Sequence, residues 1–314
     1  MHSPSTAPIR SLFLAAAFFV AACNAQTGES ETTSKALSNE QSVTLQTLVA
    51  KTKKNLVFVQ GGSFQMGDFG MVHNAAKLPY YGALDSMPLH KVSLDSFSIS
   101  AYKTTYEDYD IYTALHGLEK LMQEPRDIYF KRRTAPAGVQ WQPARDYCHW
   151  LGQQVGVPMD LPTEAQWEYA ARSRGQMVVF ATDNGKVEMG RNIPTFEWLQ
   201  EHNYNPAMGT HSGSAMYEVG LFPPNPLGLY DLVSNGFDWA LDWYGPAYYA
   251  NSPEHNPAGP ATGTKKVQRG NENMSQQSIE MMGMTMVRHA ASITSKLNVG
   301  DHIRCVATTP TKIE

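Results

Sequence analysis

One segment of the chain concentrates side chains that could bind a soft metal ion. Residues 274–289 read MSQQSIEMMGMTMVRH, in which five methionines precede His289. Thioether sulfur and imidazole nitrogen both bind Cu(I), so this composition would suit a copper site. The alternation predicts an extended segment with Met282, Met284 and Met286 on one face. Methionine also fills irregular gaps in cores and forms adaptable contact surfaces, and we favour this packing role.

Other catalytic patterns are absent from the sequence. It contains no nucleophile elbow, phosphate-binding loop, His-Glu-x-x-His pair or EF-hand spacing. The ten histidines are scattered, and none is assigned a role. A formal net charge of -4 and a pI near 6.2 give no electrostatic reason to expect nucleic acid or an anionic membrane surface as a partner.

The first 22 residues predict an export signal. The apolar run from Ser11 to Val20 is shorter than the roughly 20 residues that a membrane-spanning helix needs. The small residues that follow, and then Cys23, resemble a lipobox, so we expect cleavage before Cys23 and a lipid anchor on it. An ordinary secretory signal cleaved near Ala25 is the alternative. Asn24, in place of an aspartate, favours the outer over the inner membrane and hence a periplasm-facing lipoprotein.

Composition divides the remaining chain into two parts. Residues 23–43 are mostly Ser, Thr, Gln, Asn and Glu, which predicts a flexible tether. Residues 44–314 show no internal repeat and no second linker, so we expect a single domain. Its 24 glycines, 19 prolines and 11% aromatic residues indicate an irregular, loop-rich globule rather than a helical bundle.

Hydrophobic periodicity predicts the first elements of this domain. Leu45, Leu48 and Val49 have the spacing of one helical face, and the NLVFVQGG segment that follows predicts a strand entering a glycine turn. Residues 91–102 alternate with period two, which predicts one half-buried strand.

Two helices are predicted in the middle of the chain. Pro143 suits a first helical turn, and one apolar stripe of that helix comprises Ala144, Tyr147, Cys148, Leu151 and Val155. Thr163 and Gln166 then form a capping box for a second helix, with Gly175 as its predicted stop. Beyond Gly175 we predict only short strands and turns.

Several segments resemble the formylglycine-generating enzyme, or sulfatase-modifying-factor, family. They occur in the family's order: FVQGGSFQMG, LHKVSLDSFSISAYKTTYEDY, PAGVQWQPARDYCHWLG, LPTEAQWEYAARSRG, VGLFPPNPLGLYDLVSNGFDWALDWYG, KVQRG and HIRCV. The resemblance covers about residues 56 to 307. It implies an α+β fold, a variant of the C-type lectin fold, with short strands, two helices and long loops.

A disulfide is expected between the two cysteines that remain after lipidation. In an oxidising compartment Cys148 and Cys305 most simply pair with each other. The resemblance implies the same bond, because family members join the helix that carries the YCxW motif to the terminal FRC strand at these positions.

The resemblance also shows where the chain departs from the enzymes of the family. Those enzymes hold Cu(I) with two cysteines, which here correspond to Ser275 and Glu280. Neither side chain suits a soft cation. Asn271 and Glu272 replace further residues of the family's RGGS motif. Oxidase activity and a copper cofactor are therefore not predicted.

A calcium site is a second inherited feature that the resemblance implies. The matching positions are Asn192, Ile193, Asn235, Gly236 and Asp238. Loop oxygens with one acid suit Ca²⁺. The alternative is that Asn235 and Asp238 only hydrogen-bond their own turn, and both interpretations stay open.

Two classes of function follow. One is a non-catalytic recognition protein that binds a secreted effector or an envelope component, such as an immunity or regulatory lipoprotein of a type VI secretion system. The other is an enzyme of this superfamily with relocated metal chemistry. The insert at residues 69–87 and the stretch 183–216 could line either kind of site. The predicted binding surface comprises Tyr80, Tyr81, Asn271, Glu272, Asn273, Ser275, Met281, Met282, Met284 and Met286.

Overall fold

The computed structural model describes residues 37–121, 133–205, 210–211, 216–272, 275–294 and 300–313. Cys23 with the predicted signal, and Asn273 of the predicted surface, lie outside the described residues. Within these ranges no helix combines the length and the apolar character that a membrane crossing requires.

The described ranges contain seven α-helices: Asn39–Asn55 (α1), Gly70–His73 (α2), Tyr106–His116 (α3), Trp141–Val155 (α4), Glu164–Ala171 (α5), Phe196–His202 (α6) and Gln276–Met282 (α7). The strands are Leu56–Val59 (β1), Gly62–Met66 (β2), His90–Leu94 (β3), Phe97–Ser100 (β4), Met159–Asp160 (β5), Tyr204–Asn205 (β6), Thr210–His211 (β7), Gly236–Trp243 (β8), Lys265–Asn271 (β9), His289–Ser292 (β10), Asp301–His302 (β11) and Val306–Ala307 (β12). One four-stranded sheet has the order β1-β4-β12-β5 and the other β10-β9-β8-β11, while β2-β3 and β6-β7 form two-stranded sheets.

Helix α1 begins earlier than the composition predicted. The Ser38 side chain accepts a hydrogen bond from the Gln41 backbone, and the Gln41 side chain accepts one from the Ser38 backbone. This reciprocal cap satisfies two N–H groups at the helix start. The folded domain therefore includes residues 39–43, which the composition predicts to be part of the tether. Leu48 is buried on the predicted helical face, as Leu45 and Val49 are in part.

The segment 91–102 is not one strand. Its first part is β3, which pairs with β2, and its second part is β4, which lies between β1 and β12 in another sheet. The backbone turns at Asp95 and Ser96, where the Asp95 N–H donates to Asn256 and the Ser96 hydroxyl accepts from Gly61. Apolar residues alternate within each strand, at Val92 and Leu94 in β3 and at Phe97 and Ile99 in β4, but the phase shifts by one position at the turn. This shift was the sequence signal of the break, and the prediction of one strand overlooked it.

Helices α4 and α5 occur where the sequence predicted them. All five residues of the predicted apolar stripe of α4 are buried, and Thr163 and Gln166 form the predicted capping box of α5. Helix α5 ends at Ala171, four residues before the predicted stop at Gly175.

The described residues contain more helices than the two that the sequence predicted. Helices α3, α6 and α7, of 11, 7 and 7 residues, were missed, although α5 was predicted with only 8. Each nevertheless begins at a Ser or Thr whose hydroxyl accepts a backbone hydrogen bond, namely Thr105, Thr195 and Ser275. Such caps were a usable local signal.

Two apolar clusters form most of the described core. One joins α1, α3 and α4, and Cys148 and Cys305 are buried within it and bonded to each other. The other packs α5 against strands β1 to β4. Helices α4 and α5 therefore each pack against several of the other helices and strands.

Candidate functional site

The insert at residues 69–87 and the methionine segment meet in one groove. The groove has a volume of about 580 Å³ and a mostly apolar wall. Residues from three separate segments line it: Tyr80, Tyr81, Val179, Phe180, Gly185, Lys186, Val187, Glu280, Met281 and Met284. Four residues of the predicted binding surface therefore lie together. Gly185, Lys186 and Val187 belong to the stretch 183–216, which was predicted to line a site, whereas Val179 and Phe180 were not predicted.

The buried carboxylate of Asp68 shapes the insert. One oxygen accepts from the backbone N–H groups of Gly70 at 2.8 Å and Tyr80 at 3.0 Å, and the other accepts from Tyr81 at 2.8 Å. A carboxylate that accepts several backbone N–H groups holds a loop in one conformation. Gly70 is required here because a Cβ atom would lie 2.4 Å from the Leu78 carbonyl oxygen. Asp68 thus places both groove tyrosines.

The other end of the insert is attached to the ion-paired core. The Arg288 guanidinium donates to the Asp85 carbonyl at 2.7 Å and to the Gly245 carbonyl at 3.2 Å. The Tyr244 hydroxyl donates to the Asp85 carboxylate at 2.8 Å. The insert is therefore fastened at both of its ends.

The methionines separate into surface and core. Met281 is 53% exposed, whereas Met284 is 8% exposed and Met286 is fully buried against Phe69 and Val287. The predicted alternation is wrong, because Met282 ends α7 and the following residues turn. The packing interpretation therefore describes Met284 and Met286, while Met281 forms part of the groove wall.

His289, which follows the methionine segment, begins strand β10. Its ring packs against Phe237, with centroids 4.7 Å apart, and burial lowers its pKa. The described residues contain no group of three or more His, Cys, Asp or Glu side chains placed to hold a metal ion.

The two positions that match the copper-binding cysteines have other contacts. The Ser275 hydroxyl accepts from the Ser278 N–H at the start of α7. Glu280 accepts from the Gln276 side chain and is exposed beside Met281 in the groove. Neither position supplies the thiolate that Cu(I) requires.

Two further residues of the predicted surface lie elsewhere. Asn271 is buried at the end of β9. The half-buried Glu272 packs so closely against Gly300 that a Cβ atom there would lie 2.4 Å from its carboxyl carbon. Neither residue is part of the groove wall.

The geometry around Asp238 does not fit calcium. One oxygen accepts from Lys103 at 2.8 Å, and the other from Arg304 at 2.9 Å and Trp167 at 2.8 Å. Burial would raise the Asp238 pKa, but Arg304 and Lys103 outweigh it and lower the pKa to about 2. Lys103 also donates to the Gly236 carbonyl. Buried cations thus already bind the Asp238 carboxylate and the Gly236 carbonyl oxygen, two of the proposed calcium ligands.

The other proposed calcium ligands hydrogen-bond groups of the protein, Asn192 and Ile193 within their own turn and Asn235 across to Tyr217. The Asn192 side-chain oxygen accepts from the Glu188 N–H at 2.9 Å, and the Ile193 carbonyl accepts from a backbone N–H in the same turn. The Asn235 side chain accepts from the Tyr217 N–H and donates to the Tyr217 carbonyl. The alternative interpretation, that Asn235 and Asp238 only hydrogen-bond their own turn, is wrong, because the partners of both side chains lie on distant segments.

Behind the groove lies an ion network that sequence reasoning missed. Glu164 and Glu168 of α5 accept from Arg269 at 2.9 Å each, and they also bind Arg288 and Arg172, respectively. Burial alone would raise the Glu164 pKa, but Arg288 and Arg269 lower it. The available signal was a pair of acids among the Trp and Ala residues of a helix predicted to be buried.

A family model described as the sulfatase-modifying factor enzyme 1-like domain matches residues 42–309. The chain therefore belongs to this family, as the motifs predicted, and its mixed α+β architecture agrees with that assignment.

Individual relatives show how widely the domain is used. The serine/threonine-protein kinase pkn1 of Chlamydia pneumoniae is 32% identical over 235 residues, which are 68% of this chain but 32% of that protein. The inactive C-alpha-formylglycine-generating enzyme 2 of Bos taurus is 28% identical over 233 residues, 60% of this chain and 71% of that protein. The structure of PvdO from Pseudomonas aeruginosa superposes with a TM-score of 0.61 at 23% identity, covering 80% of this chain and 93% of PvdO, and shows a shared fold.

Proposed function

We propose that this protein is a non-catalytic recognition module that binds another protein through the groove between the insert and α7. The observation that carries the proposal is the convergence of Tyr80, Tyr81, Met281 and Met284 in one apolar groove. The position of the second copper-binding cysteine, now Glu280, lies in the wall of the same groove. Family membership does not require catalysis, since one relative carries the name of an inactive enzyme.

The surface around the groove supports docking. Apolar side chains of the insert are exposed, including Met71 at 57%, Leu78 at 62% and Leu84 at 79%. A set of exposed apolar residues beside a groove is typical of a protein-binding site. Methionine and tyrosine suit such a surface because they bury a large apolar area and adapt to the partner.

The location and the partner class are part of the proposal and rest on the sequence. A lipid on Cys23 would hold the domain at the envelope, with the outer membrane favoured. The partner would be an envelope component or a secreted effector, and immunity or regulation beside a type VI secretion system is its most specific form. No nucleic acid is expected to bind, in keeping with the net charge of -4.

Site-specific photocrosslinking tests the groove directly. A photoreactive phenylalanine replaces Tyr81 or Met281 in the purified protein, which is then irradiated in envelope extract. Leu118 is the matched control, because it is 50% exposed, close to the 53% of Met281, and is not part of the groove wall. We expect the same crosslinked protein from positions 81 and 281 and none from position 118.

Equal crosslinking from all three positions, or none from any, would contradict the proposal. Replacement of Tyr80, Tyr81, Met281 and Met284 by alanine should weaken binding to the identified partner, and unchanged affinity would also contradict it. If the partner is a toxic effector, co-expression should suppress its toxicity in the immunity form of the proposal. Stoichiometric copper together with oxidation of a cysteine peptide would support the enzyme alternative.

A further inference from the structure

A second cavity, separate from the docking groove, lies between the N-terminal helix and the body of the domain. Its volume is about 420 Å³, within the range of small-ligand pockets and far larger than the roughly 30 Å³ of one water molecule. Helix α1 forms one wall with Leu48, Lys51, Thr52 and Asn55, and the segment from β4 into α3 forms another. No residue is shared with the docking groove.

Hydroxyl groups dominate the polar lining of this cavity. Seven side chains contribute one each: Thr52, Ser100, Tyr102, Thr104, Thr105, Thr134 and Tyr147. A hydroxyl both donates and accepts, so one that already makes a hydrogen bond to the protein, as Thr52 does to the Leu48 carbonyl and Thr105 to the Asp108 N–H, can still make another to a ligand.

The charged groups of the lining are neutralised by partners in the protein. Lys51 binds both oxygens of Asp108, at 2.7 and 2.8 Å. The Lys103 ammonium points away from the ligand space, because it is fully buried and bound to Asp238 at 2.8 Å. A charged ligand would gain no unpaired opposite charge here, which favours a neutral one.

Two polar groups of the lining are available to a ligand. The Asn55 amide and the Ser100 hydroxyl are half-buried and make no side-chain hydrogen bond to any described residue. Near them, the Tyr102 ring stacks on Tyr230 with centroids 4.6 Å apart and planes inclined by 15°, which fixes the orientation of an aromatic wall.

Apolar surface completes the lining, through Leu48, Leu151 and Val219. A monosaccharide presents hydroxyl groups at its edge and C–H groups on its faces, so its two kinds of surface match this lining. We propose that the cavity binds a neutral polyhydroxy molecule of monosaccharide size, with Asn55 and Ser100 hydrogen-bonding its hydroxyl groups and Tyr102 contacting a C–H face.

Binding is tested on the purified protein with glucose, galactose, N-acetylglucosamine and mannitol as probes. Saturation-transfer NMR and calorimetric titration should detect saturable binding of at least one of them, with a Kd in the millimolar range or tighter. The double variant Asn55→Ala/Ser100→Ala should weaken binding at least about tenfold, because it removes two hydrogen bonds. Ser63→Ala/Asn251→Ala is the matched control, since both residues are exposed and neither lines the cavity.

Thr52→Phe supplies a second, independent test, because it fills the cavity from an α1 position and should abolish binding. Far-UV circular dichroism and the thermal midpoint show whether each variant is folded. The proposal is overturned if none of the four probes binds saturably to the unmodified protein. It is overturned equally if either folded cavity variant binds as tightly as the control.

Discussion

Arg288 donates two parallel hydrogen bonds to Glu164, from Nε to Oε1 at 2.7 Å and from Nη2 to Oε2 at 2.8 Å. Both side chains are buried and 124 positions apart in the sequence. The remaining guanidinium nitrogen of Arg288, Nη1, donates to the Asp85 carbonyl in the insert. One arginine thus joins helix α5, the loop after strand β8 at Gly245, and the insert that forms part of the docking groove.

Loss of this arginine should destabilise the whole domain. Arg288→Met leaves Glu164 buried with only Arg269 opposite it, so we expect the free energy of unfolding to fall by about 3 to 5 kcal/mol. Urea unfolding followed by tryptophan fluorescence measures the change. Arg133→Met is the control, because the Arg133 side chain is 82% exposed where it meets Glu107 and should cost no more than about 1 kcal/mol. Equal losses in the two variants would show that the buried network contributes no more than a surface pair.

Asp68→Ala should loosen the insert more than the core. The substitution leaves the Gly70, Tyr80 and Tyr81 N–H groups without their acceptor, and each buried unsatisfied group costs about 1 to 3 kcal/mol. We expect faster hydrogen exchange across residues 69–82 with little change in α4, and weaker crosslinking from position 81. The exposed Asp95→Ala is the control. Unchanged hydrogen exchange in the insert would show that the hydrogen bonds of Asp68 do not hold the insert in its conformation.

Removal of the disulfide should strongly destabilise the protein. Cys148 and Cys305 are 157 positions apart, and closing so long a loop restricts the unfolded chain by about 5 kcal/mol in the chain-entropy model. The Cys148→Ser/Cys305→Ser variant should therefore unfold at much lower urea concentration than the oxidised protein. Reduced protein provides the comparison without a sequence change, and a midpoint unaffected by reduction would contradict this expectation.

Asp242 should make stability depend on pH. Burial, reinforced by the nearby Glu164 charge, raises its pKa to about 7. The folded state then binds this proton more tightly than the unfolded state, whose aspartate titrates near 4, so the contribution to stability is present below pH 4 and is lost as the pH rises to 7.

Asp242→Asn tests whether stability falls as the pH rises, because the variant has no proton to lose at this position. The asparagine oxygen can still accept from the Glu164 N–H, which lies 2.8 Å from the Asp242 carboxylate. Relative to the unmodified protein, the variant should gain on the order of 1 to 3 kcal/mol between pH 4 and 8. Chemical unfolding across this range measures the difference. Asp95→Asn, whose carboxylate is exposed, should show no such gain, and a variant curve parallel to the unmodified one would contradict the prediction.

Calcium should not stabilise the domain through Asp238. Since Lys103 and Arg304 already neutralise that carboxylate, a millimolar excess of Ca²⁺ should leave the thermal midpoint unchanged, and chelator should not lower it. Calorimetry with each addition provides the measurement. A calcium-dependent rise in the midpoint that disappears in Asn192→Ala would restore the loop around Asn192 as a calcium site.

Local features of the chain could be predicted from the sequence before the tertiary structure was known. The capping box of Thr163 and Gln166 and the buried stripe of α4 depend on residues within a few positions of one another. Such spacings express helical geometry directly. Helices α6 and α7 contain too few turns for a clear apolar period, whereas α3 buries Tyr106, Tyr109 and Tyr112 at helical spacing and could have been predicted from that pattern and its cap.

By itself, the sequence determined the family, the pair of cysteines that bond and the location of the two central helices, and it predicted the loss of the copper thiolates at Ser275 and Glu280. Only the tertiary structure decided that Tyr81 and Met281 share a groove with Phe180, and that Asp238 faces Lys103 and Arg304 rather than an open cation site. The physical reason is the separation in sequence between the residues that interact. Capping and periodicity act over a few residues, whereas partners more than 100 positions apart are chosen by the topology that brings their segments together.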